Sequence, residues 1–140
     1  MKNAAVVTMV VLLTVALGND AVAGKRFDLG DVKGRYVFSF DGEINGGGPV
    51  AASGYLEADG RGNIYMAKRT ISSQLGSVTE TFTCTLTLDS DGMGSAVCPL
   101  DDPRPESPIE SFDFVIAQDR QSFQFVGTTP GLVIRGSGHR

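Results

Sequence analysis

The chain has 140 residues and a net charge of −4, and 41% of its residues are hydrophobic. This length predicts one domain that can bury a core of its own. Because the mild excess of acidic residues repels phosphates and anionic lipid head groups, neither nucleic acid nor a membrane surface is an expected partner.

The first residues have the features of a secretory signal peptide. Lys2 carries a positive charge, residues 4–17 form an uncharged run that is apolar except for Thr8 and Thr14, and the small residues Ala21-Val22-Ala23 follow. The apolar run is shorter than the roughly 20 residues of a membrane-spanning helix, which favours cleavage over a retained anchor. We therefore predict a signal peptide over residues 1–23, a mature domain over residues 24–140, and a secreted or periplasmic location.

The mature part has the alternating pattern of β-strands and lacks the helical spacing of apolar residues. Residues 81–88, for example, alternate threonine with apolar residues. Such runs predict about eight strands, near residues 35–41, 50–58, 62–69, 80–88, 94–99, 109–117, 121–127 and 131–137. Short hairpins favour a single antiparallel up-and-down barrel, because closing the sheet removes its exposed edges. A β-sandwich is the alternative.

Two DGxG turns, at residues 59–62 and 91–94, separate predicted strands. Glycine supplies a positive φ in such turns, and aspartate bonds to its own backbone. The pair Asp89 and Asp91 superficially resembles the start of a calcium loop, but the residues that follow offer only backbone carbonyls. A turn is therefore favoured, and no metal or cofactor is expected.

Cys84 and Cys98 flank the second DGxG turn almost symmetrically, so its hairpin brings them opposite each other. Export to an oxidising compartment favours a disulfide between them, on the inner face of the sheet. Closing this loop is expected to stabilise the fold by about 3 kcal/mol. A redox-active pair is disfavoured because the C-x-x-C spacing is missing.

Residues 99–108 contain four of the six prolines and three acidic residues. A solvated connector is favoured over a lid or recognition loop at the barrel mouth. Asp101, Asp102, Glu106 and Glu110 lie close together in sequence, but no pattern indicates that they are buried.

Conventional catalysis has few candidate residues. The single histidine, His139, is next to the last residue, where a frayed chain end cannot hold a general base in place. No catalytic residue is assigned.

Eight aromatic residues on alternating positions are predicted to share the inner face. They are Tyr36, Phe38, Phe40, Phe82, Phe112, Phe114, Phe123 and Phe125. The interior of an eight-stranded barrel is just wide enough for side chains or for one small ligand. The rings therefore form either a filled core, which is favoured, or an apolar pocket.

Several segments carry a resemblance to known proteins. They are Gly34-Arg35-Tyr36-Val37-Phe38-Ser39-Phe40, Ala51-Ala52-Ser53-Gly54-Tyr55-Leu56, the two DGxG turns, Thr129-Pro130-Gly131 and Gly136-Ser137-Gly138. In these segments the mature chain resembles small exported bacterial proteins of unassigned function, similar to calycin or allene-oxide-cyclase barrels. The resemblance implies a barrel fold, and no catalytic position is carried over from it.

Three functions are compatible with this domain. The first is an exported non-enzymatic barrel that acts as a binding or interaction module for a small apolar ligand or a protein partner, with self-association left open. An outward apolar patch for a partner would consist of Val37, Tyr55, Tyr65, Val97, Val115 and Val126.

The second is an isomerase-type barrel enzyme acting on an apolar small molecule, which needs an inward hydroxyl or carboxylate from Tyr36, Glu43 or Asp113. The third is a structural envelope or matrix protein with a packed interior.

Overall fold

The computed structural model describes residues 24–100 and 109–140. The predicted signal peptide and the proline-rich loop from residue 101 onwards lie outside the described residues, so both stay predictions. Within the described ranges, no helix has the length and apolar character needed to cross a membrane.

Eight β-strands make up most of the described chain. They are β1 (Lys33–Ile44), β2 (Gly48–Asp59), β3 (Asn63–Ser73), β4 (Gly76–Leu88), β5 (Met93–Pro99), β6 (Ile109–Ile116), β7 (Ser122–Gly127) and β8 (Leu132–His139). A 3₁₀ turn over Leu29–Asp31 precedes them, and Asp28 caps it by accepting a hydrogen bond of 2.8 Å from the Gly30 backbone N–H. The predicted all-β class is confirmed.

Each strand pairs antiparallel with the next strand along the chain, and β8 pairs with β1. The sheet therefore closes on itself, which confirms the predicted up-and-down barrel, and the sandwich alternative is wrong. Among the described residues, closure gives each of the eight strands two backbone partners and leaves no strand at an unpaired edge.

The first four strands are longer than the sequence predicts. β1 has 12 residues, whereas the predicted range was 35–41. The turn between β1 and β2 covers only residues 45–47, and Gly46 within it and Gly48 directly after it adopt φ angles of 76° and 75°. A hairpin this short keeps both strands paired to their ends, so the strands extend further than the apolar alternation itself.

The DGxG turns have the chemistry expected of them. Asp59 accepts a hydrogen bond of 2.7 Å from the Arg61 backbone N–H, and Asp91 accepts one of 2.9 Å from that of Met93. Gly92 adopts a φ of 93°, which an L-residue with a side chain rarely does. These bonds account for both aspartates as turn residues.

The barrel has two different ends. At the end where β1 begins, the capping segment (residues 24–32) contacts the turns between later strands, and we call this the capped end. Phe27 is buried there, and its backbone N–H donates to Ser90 O at 3.1 Å. Arg120 lies 4.5 Å above the Phe27 ring and donates to Lys25 O at 2.9 Å. The opposite end, where β5 ends and β6 begins, is the far end.

Candidate functional site

The eight aromatic residues predicted to face inward all line one cavity inside the barrel. Six of them are buried, and Phe123 and Phe125 are half-buried. Neighbouring rings meet edge to face, as where the centroids of Phe112 and Phe125 lie 5.7 Å apart at an interplanar angle of 87°. The rings therefore pack against one another and also border open space.

The cavity has a volume of about 90 Å³. Its wall is almost entirely apolar, and aliphatic side chains complete it between the rings, among them Leu56, Ile64, Leu86, Ala96 and Ile116. Val32 and Ser122, which are half-buried, line it at the capped end. The cavity therefore runs through the barrel interior toward the capping segment.

Glycines opposite the rings explain why the cavity is not larger. Gly136 and Gly138 on β8 pair with Phe125 and Phe123 on β7. A Cβ on Gly136 would lie 2.4 Å from Phe125 Cζ, and one on Gly138 would lie 2.4 Å from Phe123 Cε1. The two rings thus occupy the space that side chains on β8 would otherwise fill, and they narrow the interior on that side.

A buried arginine closes the cavity toward the far end. The Arg69 side chain is only 1% exposed, and it bonds to two carboxylates on other strands. Its Nη1 and Nη2 donate to the two oxygens of Glu110 at 2.7 and 2.8 Å, and its Nε donates to Glu80 Oε1 at 2.7 Å. Nη2 also forms an ion pair with Glu80. Glu110 thus makes a bidentate contact, and we call these three residues the Arg69 cluster.

Aromatic faces complete the surroundings of this guanidinium. Its Cζ lies 4.8 Å from the Phe82 ring centroid and 5.7 Å from that of Phe40. Burial lowers the pKa of Arg69, but the hydrogen bonds and charges of Glu110 and Glu80 outweigh it and raise the pKa above its ordinary value. Arg69 therefore stays positively charged inside an otherwise apolar barrel.

A β-bulge in β3 places Arg69 inside. Glu57 pairs with Met66 while its neighbour Ala58 pairs with Ile64, so the register shifts between those positions. Uninterrupted alternation from inward Ile64 would have sent residue 69 outward. The bulge inserts one extra residue, and it leaves Met66 47% exposed and turns Arg69 inward.

Sequence reasoning missed Arg69, although its partners carried a usable signal. Glu80 lies two residues before inward Phe82, and Glu110 lies two residues before inward Phe112. By alternation both carboxylates face inward, and a buried carboxylate requires a cation. The grouping of Glu110 with loop carboxylates that show no sign of burial is therefore wrong for Glu110.

Polar contacts hold the capped end together around Tyr36. Its hydroxyl donates to Asp31 O at 3.3 Å and accepts from Arg140 Nε at 3.0 Å. Arg120 Nε lies 2.8 Å from Asp31 Oδ1, without the alignment of a hydrogen bond. Burial raises the pKa of Asp31, but the hydrogen bond from the Asp28 backbone and the contact with Arg120 outweigh it and lower that pKa.

The predicted disulfide is confirmed. Cys84 and Cys98 are bonded, their Cα atoms are 4.1 Å apart, and both residues are buried in the cavity wall. The bond links β4 to β5, the two strands that the second DGxG turn joins. Such a bond is typical of proteins that fold in an oxidising compartment outside the cytoplasm.

Other predicted site residues lie on the outer face. Glu43 and Asp113 are exposed, so the expectation that either supplies an inward carboxylate is wrong. Both lie at outward positions of the alternation in their strands. His139 is exposed as well, but it lies in β8 and pairs with Val37 of β1, so the expected fraying of the chain end is also wrong.

The predicted outward patch is interrupted by polar neighbours. Val37, Tyr65, Val97, Val115 and Val126 are 40–55% exposed, and Tyr55 is half-buried. Val97 pairs with Thr85 and Ser111, and Val126 pairs with Asp113 and Arg135. These apolar residues therefore do not form one continuous surface.

In residues 24–100 and 109–140, no group of three or more His, Cys, Asp or Glu side chains is placed to hold a metal ion. Neither the protein-family models nor the curated proteins with which the sequence was compared match it. The cavity and the Arg69 cluster are therefore the features from which a function must be argued.

Proposed function

We propose that this protein is an exported, non-enzymatic binding module whose barrel holds a small apolar molecule. The apolar, ring-lined cavity that reaches the capped end is the observation that supports this proposal. Binding sites for small molecules are concave and mostly apolar, and they carry few polar groups. The closed eight-stranded barrel is also compatible with the calycin-like fold that the sequence resembles.

The size of the cavity limits the ligand. An engineered apolar cavity of about 150 Å³ binds benzene, and apolar cavities stay dry when they are empty. At about 90 Å³ the cavity here is smaller, so the ligand is a compact molecule of a few heavy atoms or extends toward solvent past Val32 and Ser122. Affinity comes from contact with the rings and from removing apolar surface from water.

Export is part of the proposal. The disulfide between Cys84 and Cys98 suits an oxidising compartment, and the predicted signal peptide over residues 1–23 would deliver the chain there. Cleavage would leave Gly24 as the first residue, directly at the start of the capping segment. Identifying the N-terminus of the exported protein by mass spectrometry tests this part independently.

Native mass spectrometry of the protein purified from its own compartment tests binding. We expect a small molecule that stays bound under gentle conditions and is lost on denaturation. The variant Ala96→Leu fills the cavity and should purify without this molecule, whereas Ala51→Leu, on the exposed face of β2, should retain it. Retention of the molecule by Ala96→Leu would show that it binds elsewhere.

The geometry gives less support to the two alternatives. An isomerase needs an available proton donor or acceptor, but the Tyr36 hydroxyl is already bonded to Asp31 and Arg140. In the part of the chain that the structure describes, no carboxylate lines the cavity. A matrix protein predicts a fully packed interior, whereas this barrel contains a cavity.

A further inference from the structure

The cavity presents one kind of charge. Among the described residues, Arg69 is the single charged residue in its wall. An apolar pocket that ends at a buried guanidinium is ordinarily a site for a carboxylate, since arginine offers a fork of donors that matches it. By its lining alone, the pocket would therefore be expected to bind small organic acids.

The two glutamates of the Arg69 cluster argue against carboxylate binding. Glu110 accepts hydrogen bonds from Nη1 and Nη2 of Arg69 in a bidentate contact, and Glu80 accepts one from Nε. One positive and two negative charges give the cluster a net charge of −1. The glutamate side chains are only 13% and 25% exposed, so solvent screens them incompletely.

We propose that Glu80 and Glu110 determine the charge specificity of the pocket: they exclude carboxylates and restrict the site to uncharged apolar molecules. This inference rests on the proposed binding function and adds the class of ligand to it. Glu80 and Glu110 act through Arg69, since neither lines the cavity itself. They are positioning residues that remove the anion-binding capacity of an arginine.

A carboxylate in this pocket would meet two unfavourable conditions. It either displaces Glu110 from its two short bonds with Arg69, which leaves a desolvated glutamate, or it loses its hydration without gaining those donors. In both cases it lies near two like charges in a poorly hydrated interior. A neutral molecule of the same shape gains the contacts with Phe40, Phe82 and the other rings without either cost.

Two probes of equal shape test this directly. 1-Nitropropane and butanoate have the same heavy-atom skeleton, but only butanoate is charged. Each probe is titrated into the protein purified from its own compartment, and binding is followed by the amide chemical shifts in two-dimensional NMR spectra. We expect 1-nitropropane to bind at least about tenfold more tightly, because like charges brought together oppose binding strongly.

The double variant E80Q/E110Q keeps the shape of both side chains and removes both negative charges. We expect its affinity for butanoate to rise at least about tenfold and that for 1-nitropropane to change less than about threefold. The control E43Q/D113N also removes two negative charges, but from exposed positions, and it should leave the affinities for both probes unchanged. If the double variant does not fold, the comparison of the two probes on the unmodified protein still decides the first expectation, and E110Q tests the second.

The outcomes separate the two proposals. Binding of neither probe at millimolar concentration would contradict both the ligand-binding function and the charge specificity. Equal binding of both probes to the unmodified protein would leave the binding function standing and overturn the exclusion of carboxylates. A preference for 1-nitropropane that persists in E80Q/E110Q would assign the exclusion to the apolar wall and overturn the role of the glutamates.

Discussion

Replacing Arg69 by methionine removes a buried guanidinium and leaves two carboxylates facing each other across its place. Deleting one partner of a buried ion pair ordinarily costs about 3–5 kcal/mol, because the remaining charge stays desolvated. Glu80 and Glu110 are 25% and 13% exposed and can recover part of their hydration. We therefore expect the free energy of unfolding to fall by about 3 kcal/mol, at the lower end of that range.

Urea unfolding followed by far-UV circular dichroism measures this change. With a slope of about 1–3 kcal/mol per molar urea for a small domain, the midpoint should move by about 1–3 M. Arg35→Met is the matched control: Arg35 is 58% exposed and pairs with Glu57 at 3.3 Å on the outer face. A surface pair of this kind contributes about 0–1 kcal/mol, so the urea midpoint of Arg35→Met should move much less than that of Arg69→Met.

The combination of Arg69→Met with Glu80→Gln and Glu110→Gln separates lost packing from unpaired charge. It should recover about 2 kcal/mol of the loss, since no buried charge then lacks a partner. If Arg69→Met costs no more than Arg35→Met, Arg69 is not held in a desolvated interior. If the triple variant recovers nothing, the cost comes from packing, and the electrostatic reasoning is refuted.

Three further predictions address other parts of the barrel. Replacing Cys84 and Cys98 by alanine should lower the free energy of unfolding by about 3 kcal/mol in urea titrations, and an unchanged midpoint would contradict the stabilising role of the disulfide. Gly136→Ala places a Cβ 2.4 Å from a phenylalanine ring atom and should cost about 1–3 kcal/mol in the same assay, whereas Ser137→Ala on the outer face should cost little. Since the pKa of Asp31 is lowered below 3.8, its contribution to holding the capping segment is present above that pH and is lost as the pH falls through the lowered pKa. NMR shifts of the capping segment should therefore approach those of Asp31→Asn on acidification, and shifts that stay constant to pH 2 would refute this.

Local alternation in the sequence predicted the strands, and the short turns between them favoured a barrel over a sandwich. Threonine alternating with apolar residues in residues 81–88 marks one strand, and the two DGxG turns mark hairpins whose short loops favour pairing between neighbours along the chain. Cys84 and Cys98 flank the second DGxG turn almost symmetrically, and this placement predicted the bond between them. These features depend on residues close together in the chain, and the period of a strand makes them visible without any knowledge of the fold.

The contents of the barrel were not predictable in the same way. Eight inward rings were expected, but whether they fill the interior depends on what faces them. The glycines Gly136 and Gly138 on a different strand decide how far the rings of Phe123 and Phe125 extend. The capping segment was not predicted either, because Phe27 is buried by turns from distant parts of the chain.

The inward position of Arg69 could not be predicted from the sequence of its own strand. Alternation along each strand is visible in the sequence, and it indicates the class of fold, the Cys84–Cys98 disulfide and the inward positions of Glu80 and Glu110. The face that Arg69 occupies depends instead on pairing between strands, because the bulge beside Met66 arises from the register in which β3 pairs with β2. A shift of one residue in that pairing reverses the facing of the residues that follow in the strand, and it moves the Arg69 charge from the surface to the inner end of the proposed binding site.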